Sequence, residues 1–201
     1  MQVAVHCIGD GCVDMVLSSL EKALAAHPRQ DHRHGIVHCQ ITRPDQLERI
    51  ANMGLHIYAQ SIFLDYDIHI VKERVGEELA SSSYSWKRLK NMGCSVSNGS
   101  DCPVEFPYVM SGIQCAVTRR DLKGFGPYLE EEAFTVQESL DSFTRMGAYA
   151  SFEEETKGQI APGQLADFVV LGSNPFETKE DALKDVPVLA TFLGGKQVYS
   201  A

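Results

Sequence analysis

Short apolar runs alternate with amphipathic helical stretches, with almost nothing between them, through the first 120 residues, and this alternation limits the available folds more than any other feature. Gln2–Cys7 reads as a strand, and Val13, Val16, Leu17, Leu20 and Leu24 then recur at helical spacing as far as about Ala26. Gly9-Asp10-Gly11 makes the turn between them. A second strand, Gly35–Gln40, is followed by a helix expected to be capped at Thr42, with Pro44 in its first turn and Gly54 at its end. A third strand, Leu55–Gln60, and a fourth, Gly93–Val96, complete the set. Strand-helix units of about 30 residues with short links imply parallel strands joined by right-handed crossovers.

Between the third and fourth strands, Ser61–Ser85 breaks the rhythm, and its place after a strand's carboxyl end predicts a substrate lid. Trp86–Met92 reads as a short helix closed by Gly93, and Val109, Ile113 and Val117 mark another as far as Arg120. The glycine-rich, acidic segment Asp121–Glu132 predicts a second mobile loop. Thr135-Val136-Gln137-Glu138 is a capping box opening a helix expected to run to about Phe152. From Thr156 the character changes: Gly158–Ile160, Gly163–Leu165 and Asp167–Leu171 read as short strand pieces, and Gly194-Gly195 is a hairpin signal. The expected organisation is α/β, with residues 1–155 as a parallel, barrel-like unit and 156–201 as a β segment that needs partner strands.

Three strand ends carry side chains suited to chemistry. His6 and His38 lie near the carboxyl ends of the first two strands, and Ser97–Pro103 places Asp101 just beyond the fourth. Parallel α/β folds keep their chemistry at that end of the sheet. Two neutral imidazoles and a carboxylate are a reasonable ligand set for a borderline divalent cation, zinc first among them. Side chains alternate along a strand, so Cys7 and Cys39 are expected to point away from such a site and to pack beneath it. Gln60, Phe63, Asp67 and His69 are candidates for substrate contact through their position alone, and His56 reads as an exposed residue at a strand start.

Composition excludes several alternatives. A net charge of −9 without a lysine-arginine cluster argues against a nucleic-acid surface. No apolar run approaches a membrane span, and the first residues lack the pattern of a secretory signal. The six cysteines form no close C-x-x-C pair, which suits reduced thiols in a cytoplasmic protein. Met1 leads straight into a core-type strand, as expected of the later part of a longer chain.

Val5–Asp10, His34–Gln40, Gly99–Pro103 and Lys157–Leu171, in that order, resemble the later half of the amidohydrolase superfamily, in particular the family-3 branch that includes N-substituted formamide deformylases. The resemblance covers nearly the whole chain. It implies the second half of a metal-dependent (β/α)8 barrel, with about four parallel strands, followed by a segment of a small β-sandwich built from both chain ends. His6 and His38 would be the metal ligands of barrel strands five and six, and Asp101 the strand-eight carboxylate that binds metal and handles the proton. The implied reaction is hydrolysis of a non-peptide carbon–nitrogen bond in a small amide-type molecule, through one or two divalent ions and with no covalent intermediate.

The H-x-H pair and bridging ligand of the first barrel half are missing. A half barrel has two open edges, so a homo-oligomer or another association covering them is expected, with little turnover and weak metal binding by this chain alone. A non-catalytic assembly unit of the same ancestry, and an unrelated parallel α/β protein with structural histidines, are the alternatives.

Overall fold

The computed structural model describes residues 1–201. Four parallel strands, β1 (Ala4–Cys7), β2 (Gly35–His38), β3 (His56–Ala59) and β4 (Val96–Asn98), lie side by side in chain order, so β1 and β4 form the two edges. Between them run α1 (Asp10–Ala26), α2 (Pro44–Asn52), and then α3 (Leu64–Asp67), α4 (Val71–Ala80) and α5 (Trp86–Asn91). After β4 come α6 (Val109–Thr118), α7 (Val136–Phe143) and α8 (Arg145–Ala150). A separate antiparallel sheet is formed by β5 (Phe168–Leu171), β6 (Val188–Leu193) and β7 (Lys196–Ser200).

Register explains which residues meet. Val5 pairs with Ile36, Ile36 with Ile57 and Ile57 with Val96, so this row of side chains faces the helices. Ile36, Ile57 and Val96 join Leu17, Leu47, Ile50, Leu64 and Leu89 in the main core, with Val5 packed against it at the edge. Burying each large aliphatic side chain contributes about 1.5–3 kcal/mol. The opposite, open face carries His6, Val37, Tyr58 and Ser97 in one row. Gly35 also lies there, and it is required: a Cβ on it would stand 2.6 Å from Tyr58 Cε2 and 2.7 Å from the His56 carbonyl oxygen.

The amino-terminal end of the sheet is tied to the last helix. Arg33 lies between the rings of Tyr149 and Phe152, 3.8 and 4.1 Å from their centroids, and pairs with Asp31 and Glu154. Elsewhere, Leu183 and Val186 pack with Met110, Ile113 and Val117, which anchors the segment leading into β6 on α6.

Several sequence expectations are corrected. Ser61–Ser85 is no lid: Leu64, Ile68, Val71, Ala80 and Tyr84 are buried in the main core, because helical folding turns its apolar positions inward. Asp121–Glu132 is held rather than mobile, since Asp121 Oδ1 accepts from the backbone N–H of Lys123 and Phe125, and Arg119 donates to the Tyr128 carbonyl. Thr42 does not cap α2; its hydroxyl donates to the Ser82 carbonyl, while the Gln46 side chain accepts from the Arg43 N–H. Asp10 and Gly11 already belong to α1. The helix expected to reach Phe152 breaks at Thr144, with φ −124° and ψ −95°. Residues 158–165 form turns and irregular backbone instead of strands.

Candidate metal centre

His6 and His38 come together. Their ring centroids are 4.5 Å apart and nearly perpendicular. For His38 this takes unusual backbone. Cys7 pairs with His38 in the register and faces the helices, so regular pleating would send His38 to the same side. Instead His38 has φ 75° and Cys39 φ 50°, both left-handed, and the His38 ring meets that of His6 on the open face, while Cys39 takes the core position. Non-glycine residues in that region cost of order 1–3 kcal/mol and persist where surrounding contacts impose them. Those contacts are present: Trp86 Nε1 donates to the His38 carbonyl at 2.9 Å, and Cys39 N donates to the Cys7 carbonyl at 3.0 Å.

The ring is set as firmly as the backbone. Gln60, 5% exposed, donates through Nε2 to the Tyr58 carbonyl at 3.0 Å, which turns Oε1 toward His38 Nδ1 at 2.8 Å. His38 therefore carries its proton on Nδ1 and keeps a lone pair on Nε2. Burial pushes its pKa below the ordinary histidine value, with His6 adding to the effect and Gln60 and Asp101 opposing it. Phe63 stacks over the same imidazole with centroids 5.8 Å apart. A buried, neutral, oriented imidazole suits a metal ligand.

Asp101 lies in the exposed loop after β4, with φ 56°. The base of that loop is pinned: Gly99 N donates to the Ala59 carbonyl, Asn98 Oδ1 accepts from Ser61 N, and Val104 N donates to the Asp101 carbonyl. Asp101 acts on His38 through its charge, but no three His, Cys, Asp or Glu side chains gather closely enough to hold a metal ion by themselves.

The other singled-out residues are mostly engaged elsewhere. Asp67 Oδ2 accepts from Gln40 Nε2 and the Tyr84 hydroxyl, and burial raises its pKa despite both bonds. His69 Nε2 pairs with Asp121 at 2.9 Å and stacks on Phe125. His56 is buried rather than exposed, between the Ser95 and Ser97 hydroxyls, and desolvation pushes its pKa down to about 4. Cys7 and Cys39 are in the core, as alternation required for Cys7, while Cys102 is exposed. The structuring role of Trp86 was not legible, because it depends on a carbonyl 48 residues away in sequence.

The sequence matches the amidohydrolase family over residues 1–199. The chain belongs to the amidohydrolase family. YtcJ of Bacillus subtilis (strain 168) is 34% identical over 99% of this chain and 37% of its own length. The N-substituted formamide deformylase of Arthrobacter pascens is 24% identical over 97% of this chain and 36% of its own length. Among solved structures, an uncharacterized metal-dependent hydrolase from Pyrococcus horikoshii OT3 superposes with TM-score 0.77 at 29% identity, over 90% of this chain and 35% of that one. This amidohydrolase chain thus spans a little over a third of the relatives it matches, and it is an α/β unit corresponding to part of an amidohydrolase barrel with a small antiparallel sheet.

Proposed function

We propose that this chain is the carboxyl-terminal portion of a metal-dependent hydrolase that cleaves non-peptide carbon–nitrogen bonds of the amide or formamide type. His6, His38 and Asp101 are its share of the ligand set, and a divalent ion, zinc by preference, is the cofactor. The observation that carries this reading is the pairing of the His6 and His38 rings at 4.5 Å, with Gln60 leaving His38 Nε2 free. The donor set fits a borderline cation in kind, and falls short of a complete site in number.

A divalent cation there supplies Lewis acidity, polarising a carbonyl and making water a stronger acid. The protein's own part is to orient and to move protons. Gln60 and Trp86 hold His38 in place. Asp101, exposed at the mouth, takes the proton of the attacking water and returns it to the leaving nitrogen. Of the four substrate-contact candidates, Phe63 presents an apolar ring beside His38 and Gln60 positions the His38 imidazole, whereas Asp67 is held by Gln40 and Tyr84 and His69 by Asp121.

With β1 and β4 both at sheet edges and too few ligands, this chain alone has little or no turnover and associates through those edges, with its own copies or with further chain. The test is metal analysis of the purified chain and of the His38→Ala and Asp101→Asn variants, alongside sedimentation. Zinc bound in the starting protein and lost in both variants supports the reading. A starting protein that takes up no metal even at millimolar zinc favours a non-catalytic assembly unit.

A further inference from the structure

Two thiols outside the proposed ligand set are in contact. Cys7, at the end of β1, is fully buried, and Cys12, in the first turn of α1, is half-buried. Their sulfurs are 3.2 Å apart, and Cys12 Sγ also lies 3.4 Å from the His6 carbonyl oxygen. Of the other thiols, Cys39, Cys94 and Cys115 are buried and Cys102 is exposed; Cys39 lies near Cys94 and Cys7, yet only Cys7 and Cys12 are in sulfur–sulfur contact. A disulfide needs sulfurs at about 2.05 Å, so closure requires a movement of about 1 Å. The link from β1 into the first turn of α1 carries two glycines, Gly9 and Gly11, whose backbone is freer to adjust than that of other residues.

We propose that Cys7 and Cys12 form a reversible disulfide when the protein meets a peroxide, making this strand-to-helix turn a redox modification site. Cys12 is the thiol that solvent reaches. Its sulfur attacks one peroxide oxygen, the O–O bond breaks, and a sulfenic acid and one water form when the peroxide is hydrogen peroxide. The Cys7 sulfur then attacks the Cys12 sulfur, the S–O bond breaks, and the hydroxyl leaves with the Cys7 proton as a second water. Two thiols lose two electrons in all, and the peroxide gains them. The bridge would fix the end of β1 to α1 directly beside His6.

The test is mass spectrometry of the intact chain treated with a small excess of hydrogen peroxide, blocked with iodoacetamide and digested with trypsin. Cys7 and Cys12 fall in one peptide, Met1–Lys22. That peptide is expected to lose the mass of two hydrogens, to take up no iodoacetamide, and to accept two adducts after dithiothreitol. Cys12→Ser abolishes the signature, whereas Cys94→Ser, which removes a thiol near Cys39, leaves it intact. The proposal is overturned if both thiols still alkylate after peroxide, if Cys12 gains oxygen without bridging, if chains cross-link to each other, or if Cys94→Ser removes the bridge.

Discussion

His38 donates its Nδ1 proton to Gln60 Oε1 across 2.8 Å, and Gln60 is itself turned to receive it by its bond to the Tyr58 carbonyl. One side-chain amide therefore decides which nitrogen of His38 is free. Gln60→Leu removes that acceptor. Nitrogen-15 NMR is expected to show His38 as a single Nδ1–H tautomer in the parent chain and as a mixture in the variant. If metal binds as proposed, affinity falls about 10- to 100-fold. An unchanged tautomer in Gln60→Leu would refute the assignment.

His56 makes stability depend on pH. Its folded pKa of about 4 lies below the ordinary value of 6.5, so between those values the unfolded chain binds more protons than the folded one. Stability is then fully present above about pH 6.5 and is lost as pH falls toward 4, by on the order of 2–3 kcal/mol. Glu138, whose pKa its lysine partners and the Thr135 N–H depress to about 2 against the cost of burial, adds a loss of the same sign beginning at lower pH. Urea midpoints from pH 7.5 to 4 should fall in the parent and fall less in His56→Asn; equal slopes would contradict the account.

Gly35→Ala tests the crowding on the open face. The new methyl group meets both the Tyr58 ring and a backbone carbonyl, and only the ring can move. A loss of about 2–3 kcal/mol in denaturant unfolding is expected, partly restored by adding Tyr58→Ala. No restoration would mean that the carbonyl contact dominates.

Arg33→Ala removes a buried guanidinium from between two aromatic rings and leaves Glu154 without its partner. About 2–4 kcal/mol should be lost. Arg33→Lys, which keeps the charge but neither the stacking nor the two-pronged contact, should recover less than half of that. Full recovery by lysine would show that charge alone matters.

Much of this protein is written locally in its sequence. The strand-helix alternation determines four parallel strands, because apolar spacing decides which element forms and short links decide that its neighbour lies alongside. The positions of His6, His38 and Asp101 near strand ends follow from the same pattern. Because the strands run parallel, their carboxyl ends share one rim.

What the sequence could not determine is how those ends are turned. Left-handed backbone at His38 depends on a tryptophan 48 residues later, the tautomer on an amide 22 residues later, and the burial of His56 on two serines of the neighbouring strand. The interior placement of Ser61–Ser85 likewise depends on the sheet it covers. Local periodicity specifies elements one at a time. Orientation, protonation and burial are set by contacts between residues far apart in the chain, and those exist only once the sheet has assembled.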